Sequence, residues 1–144
     1  RAVSDEPGAL SLAEGRAMSR QVSDVERKTG VEIIVVILTT SRPESIEGYV
    51  QRLVDHWRRE SKRLDHGRFV FVAVAKETRE LRIVPSETLA WVLKPLTHSE
   101  VLVQAPALLK QDKYFEALTA IVAKLSQQIA DHPDMTQNVN SITL

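Results

Sequence analysis

Cysteine is missing from all 144 residues, which excludes disulfides and thiolate metal sites. The redox compartment stays open, because an exported protein can simply lack cysteine. Net charge is missing too. Nineteen Lys and Arg balance nineteen Asp and Glu, so no overall field draws the chain to nucleic acid or to an anionic membrane. No apolar run approaches the length of a bilayer span. There is no P-loop, no dinucleotide fingerprint and no Gly-x-Ser-x-Gly elbow. Nor is there an internal repeat or a low-complexity segment. His56, His66, His98 and His132 lack metal-binding spacing and read as surface residues. Asp55 and His56 are neighbours on a helix and point about 100° apart, so they form no facial pair.

What is present is ordinary for a soluble globular chain: 43% apolar and 26% charged residues. The length suits one domain with a real core. The chain opens at Arg1 rather than Met, which points to an excised or processed piece of something longer.

The order of elements can be read from periodicity. Ser11 and Glu14 have capping-box spacing, and Met18, Val22 and Val25 form the stripe of the helix that follows. Gly30 suits its C-terminus. "VEIIVVIL" (31–38) is apolar on both faces, as a strand covered on both sides must be. Ser41 and Glu44 repeat the capping-box spacing. The next helix carries Ile46, Tyr49, Val50, Leu53, Val54 and Trp57 on one stripe, so Trp57 is expected in the core. "RRESKRLDHG" (58–67) reads as a charged helix end plus loop. Its basic run belongs to a solvated face rather than a nucleic-acid site.

"RFVFVAVA" (68–75) is a second buried strand, and "ELRIV" (80–84) follows so closely that the two must pair as an antiparallel hairpin. Ser86 to Leu93 reads as a short helix that Pro95 stops. Thr97 and Glu100 make a third capping box, and Pro106 is expected to kink or break the helix after it. "KYFEALTAIVAKLSQQI" (113–129) is the last amphipathic helix. The expected fold is a three-layer α/β/α sandwich with a small mixed sheet that includes one β-hairpin. Residues 1–130 form the single domain, and 131–144 a polar tail or linker.

Five segments, in order, resemble the TPM domain family, which includes a thylakoid-lumen acid phosphatase and photosystem II repair factors. "VSDEPGALSLAEGRAM" is similar to its opening acidic-glycine turn and first helix. "ERKTGVEIIVVIL" resembles its helix-to-strand junction, and "ESIEGYVQRLVDHW" its second helix. "KRLDHGRFVFVAV" resembles its lysine, Asp-Asn-Gly turn and strand, and "PALLKQDKYFEAL" its late proline and tyrosine-bearing helix. The resemblance covers roughly residues 3 to 130.

The departure lies at "LRIVPSETLAWVL" (81–93). There the family typically has a Gly-Tyr-Gly-Leu-Glu-Gly turn and then a Thr-Asp pair. Laid on without a gap, its first two glycines fall on Ser86 and Thr88, its tyrosine on Glu87 and its leucine on Leu89. The glutamate then meets Ala90, the third glycine Trp91, and the aspartate Pro95. Asp65 and Gly67 survive from the facing acidic loop, in "DHG", although turn chemistry alone also explains both.

The resemblance implies a ligand cleft at Asp65, His66, Gly67, Ser86, Glu87 and Trp91, with Asp65 and Glu87 as the metal candidates. Calcium takes about six to eight oxygens, so two carboxylates and water hold at most a weak ion. Without glycine, the backbone cannot readily adopt the positive-φ shapes that cradle phosphate. Ser86 lacks the glycines of a nucleophile elbow and reads as a helix N-cap. Trp91 is expected to plug the rebuilt cleft from inside; the alternative is an exposed binding anchor.

The expected function is therefore a non-catalytic interaction or assembly module with a degenerate metal and phosphate site and no resident cofactor. The resemblance places it outside the cytoplasm, in the periplasm or envelope, tethered through a segment beyond this piece and facing an envelope or membrane protein. Two alternatives stand beside it: a calcium-dependent acid phosphatase using Asp65, and a small-ligand binder capped by Trp91.

Overall fold

The two β-branched runs and the amphipathic helices flanking them dictate the layers. The computed structural model describes residues 2–60 and 67–133. The side chains of Trp57, Arg58 and Glu60 lie outside that description, and with them the expected burial of Trp57. In chain order come β1 (Val3–Asp5), α1 (Leu12–Thr29), β2 (Val31–Leu38), α2 (Ile46–Glu60), β3 (Arg68–Ala75) and β4 (Glu80–Pro85). Then follow α3 (Glu87–Leu93), a 3-10 turn (Lys94–His98), α4 (Glu100–Lys110) and α5 (Tyr114–Ala130).

The strands lie in the order β1-β2-β3-β4. β1 and β3 run parallel to β2, and β4 runs antiparallel to β3. Alternate residues of β2 serve opposite faces. Val31, Ile33, Val35 and Ile37 join Met18, Val22 and Val25 of α1 and the apolar sides of α3, α4 and α5. Ile34, Val36 and Leu38 join Ile46, Val50 and Val54 of α2. Among the described residues, helices therefore cover both faces, α2 on one and the other four on the second, as the near-continuous apolar strands require. Each fully buried Val, Ile or Leu contributes about 1.5–3 kcal/mol of transfer free energy.

The connections through α1 and α2 step the same way across the sheet, yet their helices sit on opposite faces. They must have opposite hands, so one is of the uncommon left-handed kind. The two connections diverge between β1 and β2, at the strands' carboxyl ends.

Local chemistry follows the sequence in part. Ser11 and Glu14 make a full capping box, and Gly30 closes α1 at φ 76. The other two boxes shift. Buried Ser41 donates its hydroxyl to the Glu44 carbonyl, and Ser45 caps α2 by accepting the Gly48 N–H. Thr97 donates to the Lys94 carbonyl inside the 3-10 turn, so Ser99 caps α4 by accepting from Leu102 N–H. α3 ends at Leu93 as expected, yet Pro95 does not end the helical path, which continues as the 3-10 turn around it.

Pro106 does not break its helix either, for α4 runs through it to Lys110. The proline faces solvent, and buried Ala105 and Leu109 hold the turns on either side of it against the core. β1 is the element the sequence reading lacks. It exists by pairing Val3, Ser4 and Asp5 with Val35, Val36 and Ile37.

Candidate functional site

The junction after β4 gives its serine a structural task. The Ser86 N–H donates to the Phe69 carbonyl at 2.8 Å, extending the β3–β4 ladder by one rung. A regular rung would then need the Ser86 carbonyl to take the Phe69 N–H. That carbonyl has already turned into the helix, where it accepts the Leu89 N–H at 3.0 Å. The Ser86 hydroxyl oxygen replaces it, accepting from Phe69 N–H at 3.2 Å. Ser86 is 5% exposed. It is the backbone N-cap of α3 but gives that helix no side-chain cap. Its one close hydroxyl neighbour is Thr88 Oγ1, at 3.4 Å.

Around this junction the sequence-derived residues are distributed as follows. Asp65 and His66 lie outside the described residues. Gly67, half-buried, leads into β3 at the sheet end from which Ser86 leaves β4. Glu87 is exposed on the first turn of α3. The turn 86–91 thus offers one carboxylate, the exposed Thr88 hydroxyl and a serine hydroxyl already engaged by backbone. Against the six to eight oxygens calcium takes, the described residues of this turn do not fit a calcium site.

Trp91 corrects the expectation of a plug. Leu89, Val92 and Leu93 face the core, which turns Trp91 outward, 58% exposed. It meets the His132 ring edge-on at 5.8 Å. His132 Nδ1 lies 2.9 Å from the Gln128 carbonyl, and Gln128 donates to the Val92 carbonyl. The ring therefore stands on the seam between α3 and the end of α5. On the other flank of α3 an apolar cavity of about 310 Å3 opens between Ile83, Pro85, Leu93, Leu96 and Leu102. Trp91 does not line it.

The opposite end of the sheet is where an open α/β sheet usually binds ligand, outside the carboxyl ends at the point where the connections diverge. Here that crevice is stitched shut by acids that sequence reasoning had not placed. Both Asp5 carboxylate oxygens accept backbone N–H groups, from Ala9 and Leu10. Glu6 accepts the Thr39 N–H at 2.9 Å. Glu77 accepts the Thr40 hydroxyl and pairs with Arg42 at 3.4 Å. Among the described residues no three His, Cys, Asp or Glu side chains converge as a metal cluster.

One buried polar atom stands out nearby. Among the described residues the Tyr114 hydroxyl has no partner at hydrogen-bond geometry. Burial pushes this phenol above its usual range, and the Asp112 carboxylate beside it, bridged by Arg79 at 2.8 Å, adds to the upward push. On the α2 side, two carboxylates are held below theirs by guanidinium partners, half-buried Glu44 by Arg52 and exposed Glu47 by Arg82.

A four-stranded mixed sheet between one helix and four is a three-layer α/β/α sandwich. The TPM domain model matches residues 3–128, and the chain belongs to that family. Two solution NMR structures share the fold. One is the N-terminal domain of a protein from P. gingivalis, with TM-score 0.77 and 20% identity, covering 93% of this chain and 85% of that one. The other is the N-terminal domain of a Corynebacterium glutamicum protein, with TM-score 0.61 and 17% identity, covering 93% and 80%. A comparison with curated proteins gives no match.

Proposed function

We propose that this TPM domain is a non-catalytic interaction or assembly module that acts outside the cytoplasm against an envelope or membrane protein. One observation carries the reading. Where the family resemblance puts a glycine-rich ligand turn, this chain has a regular helix whose first serine is tied to β3. A backbone held in helix cannot wrap an anion or a cation as glycine turns do, and Glu87 is the turn's one carboxylate. The extracytoplasmic setting is inferred from the family alone.

The competing phosphatase reading rests on Asp65 and is tested directly. The domain is incubated with para-nitrophenyl phosphate from about pH 5 to 8, the span in which carboxylate and histidine catalysts titrate. Calcium, magnesium and EDTA are compared, with Asp65→Ala as control. The module reading expects no turnover above the no-protein blank. Metal-dependent turnover that disappears in Asp65→Ala would replace it with the enzyme.

A further inference from the structure

We propose that the outer edge of β1 and the adjoining face of α1 form a docking groove for an extended acidic peptide segment of the partner. It would bind as an added strand. The proposal rests on the interaction reading and gives it a surface and a partner chemistry.

The sheet ends at β1 on this side, and the backbone there points outward by necessity. Ala2 gives its carbonyl to Val35 N–H, and Glu6 gives its N–H to the Ile37 carbonyl. Hydrogen-bonding groups alternate along a strand, so residues 2, 4 and 6 face β2 while Val3 and Asp5 face away. The Asp5 carbonyl is drawn on only by a long 3.4 Å contact from Gly8 N–H. An open edge of this kind is a template for strand addition.

Beside that edge lies a groove of about 600 Å3, walled by Leu12, Gly15, Arg16 and Arg20 of α1 and floored by Val3 and Asp5. Its charge is net positive, two arginines against one carboxylate. The Asp5 carboxylate is consumed by two backbone N–H groups, while Arg16 and Arg20 are exposed and make no ion pair with any described residue. Five other arginines, 27, 42, 52, 79 and 82, have carboxylate partners. Leu12, 72% exposed at the rim, offers an apolar contact to every second side chain of a strand. Gly15 stands in the first turn of α1, its N–H bonded to the Ser11 carbonyl, where glycine costs up to about 1 kcal/mol against alanine. A side-chain carbon there would meet nothing within 4 Å. Packing does not call for this glycine; an open wall through which a second backbone approaches does.

The probe is a fluorescein-labelled twelve-residue peptide alternating valine and glutamate, titrated with the full chain and followed by anisotropy. A valine–lysine peptide is the comparison. The glutamate peptide is expected to bind saturably and the lysine peptide not to. Arg16→Glu with Arg20→Glu weakens binding about tenfold or more at low salt, a loss that shrinks as salt screens the charges. Gly15→Leu blocks the wall and abolishes binding, yet raises the melting temperature because leucine favours helix. Val3→Pro removes an outward N–H and part of the valine's packing against the core; it weakens binding without loss of fold by circular dichroism.

Three results would overturn the groove: no binding of the glutamate peptide, equal binding of the lysine peptide, or binding indifferent to all three variants. None of them touches the junction after β4, so the groove can fail while the module reading survives. Turnover of para-nitrophenyl phosphate would overturn that reading instead.

Discussion

Replacing Ser86 with alanine should destabilise the domain by about 2 kcal/mol. The side chain is small, so the loss comes from one hydrogen bond and not from a cavity. The Phe69 N–H gives its proton to the Ser86 hydroxyl oxygen at 3.2 Å in a buried setting. The Ser86 carbonyl cannot step in, because it already holds the Leu89 N–H. Removing the acceptor therefore strands a donor, which costs roughly 1–3 kcal/mol.

A chain of 144 residues unfolds with an entropy near 0.3 kcal/mol/K, at about 2.1 cal/mol/K per residue. The melting temperature should then fall by about 7 °C. Ser86→Thr keeps the oxygen and should recover most of the loss. Thermal and urea melts measure the change, and amide exchange should speed up at Phe69. A Ser86→Ala melt within about 0.3 kcal/mol of the parent would refute the reasoning, since no stranded donor is that cheap.

Other substitutions probe the remaining structure. Tyr114→Phe should stabilise by up to about 1 kcal/mol, because the hydroxyl it removes is buried with no partner at hydrogen-bond geometry among the described residues. The Tyr114 pKa is raised from 10.0 by burial. Its contribution is thus complete below the unfolded value and lost as pH climbs through the folded one. The parent should lose stability in that alkaline window by an amount absent from Tyr114→Phe, as paired melts at pH 8 and above about 10 will show. Trp91→Ala should change stability by less than about 0.5 kcal/mol, as befits a surface substitution; a core plug would cost about 3–5. Leu118→Ala, at a fully buried position of α5, should cost about 2–5 kcal/mol by denaturant melt. Gly30→Ala, at φ 76, should cost about 1 kcal/mol by the same assay.

The layers were legible because β2 and β3 are apolar on both faces, a pattern a two-sided sheet demands and few other structures produce. β1 was not legible. Three residues with a single aliphatic among them carry no periodicity, and the strand forms only through its register with Val35 to Ile37. The N-caps of α2 and α4 were misplaced because Ser41 and Thr97 have capping spacing but spend their hydroxyls on carbonyls. Trp91 was misjudged although the signal was present. Leu89, Val92 and Leu93 have i, i+3, i+4 spacing, which already turns residue 91 to solvent. At the junction, Ser86 was read as an N-cap, and its backbone is one. The use of its hydroxyl to finish a strand ladder depends on a residue 17 positions away, which no local pattern records. The crevice acids Glu6 and Glu77 were missed for the same reason, since their partners lie 33 and 37 positions off.

The central claim is that the turn after β4 is a structural joint and holds no tight cation. Thermal melting across a calcium titration into the millimolar range tests it most directly. The account predicts a melting temperature unmoved by calcium or EDTA. A ligand at a hundred times its Kd adds about 2.7 kcal/mol, or roughly 9 °C here. A saturable rise of that size, lost when Glu87 is changed to Gln, would contradict the claim.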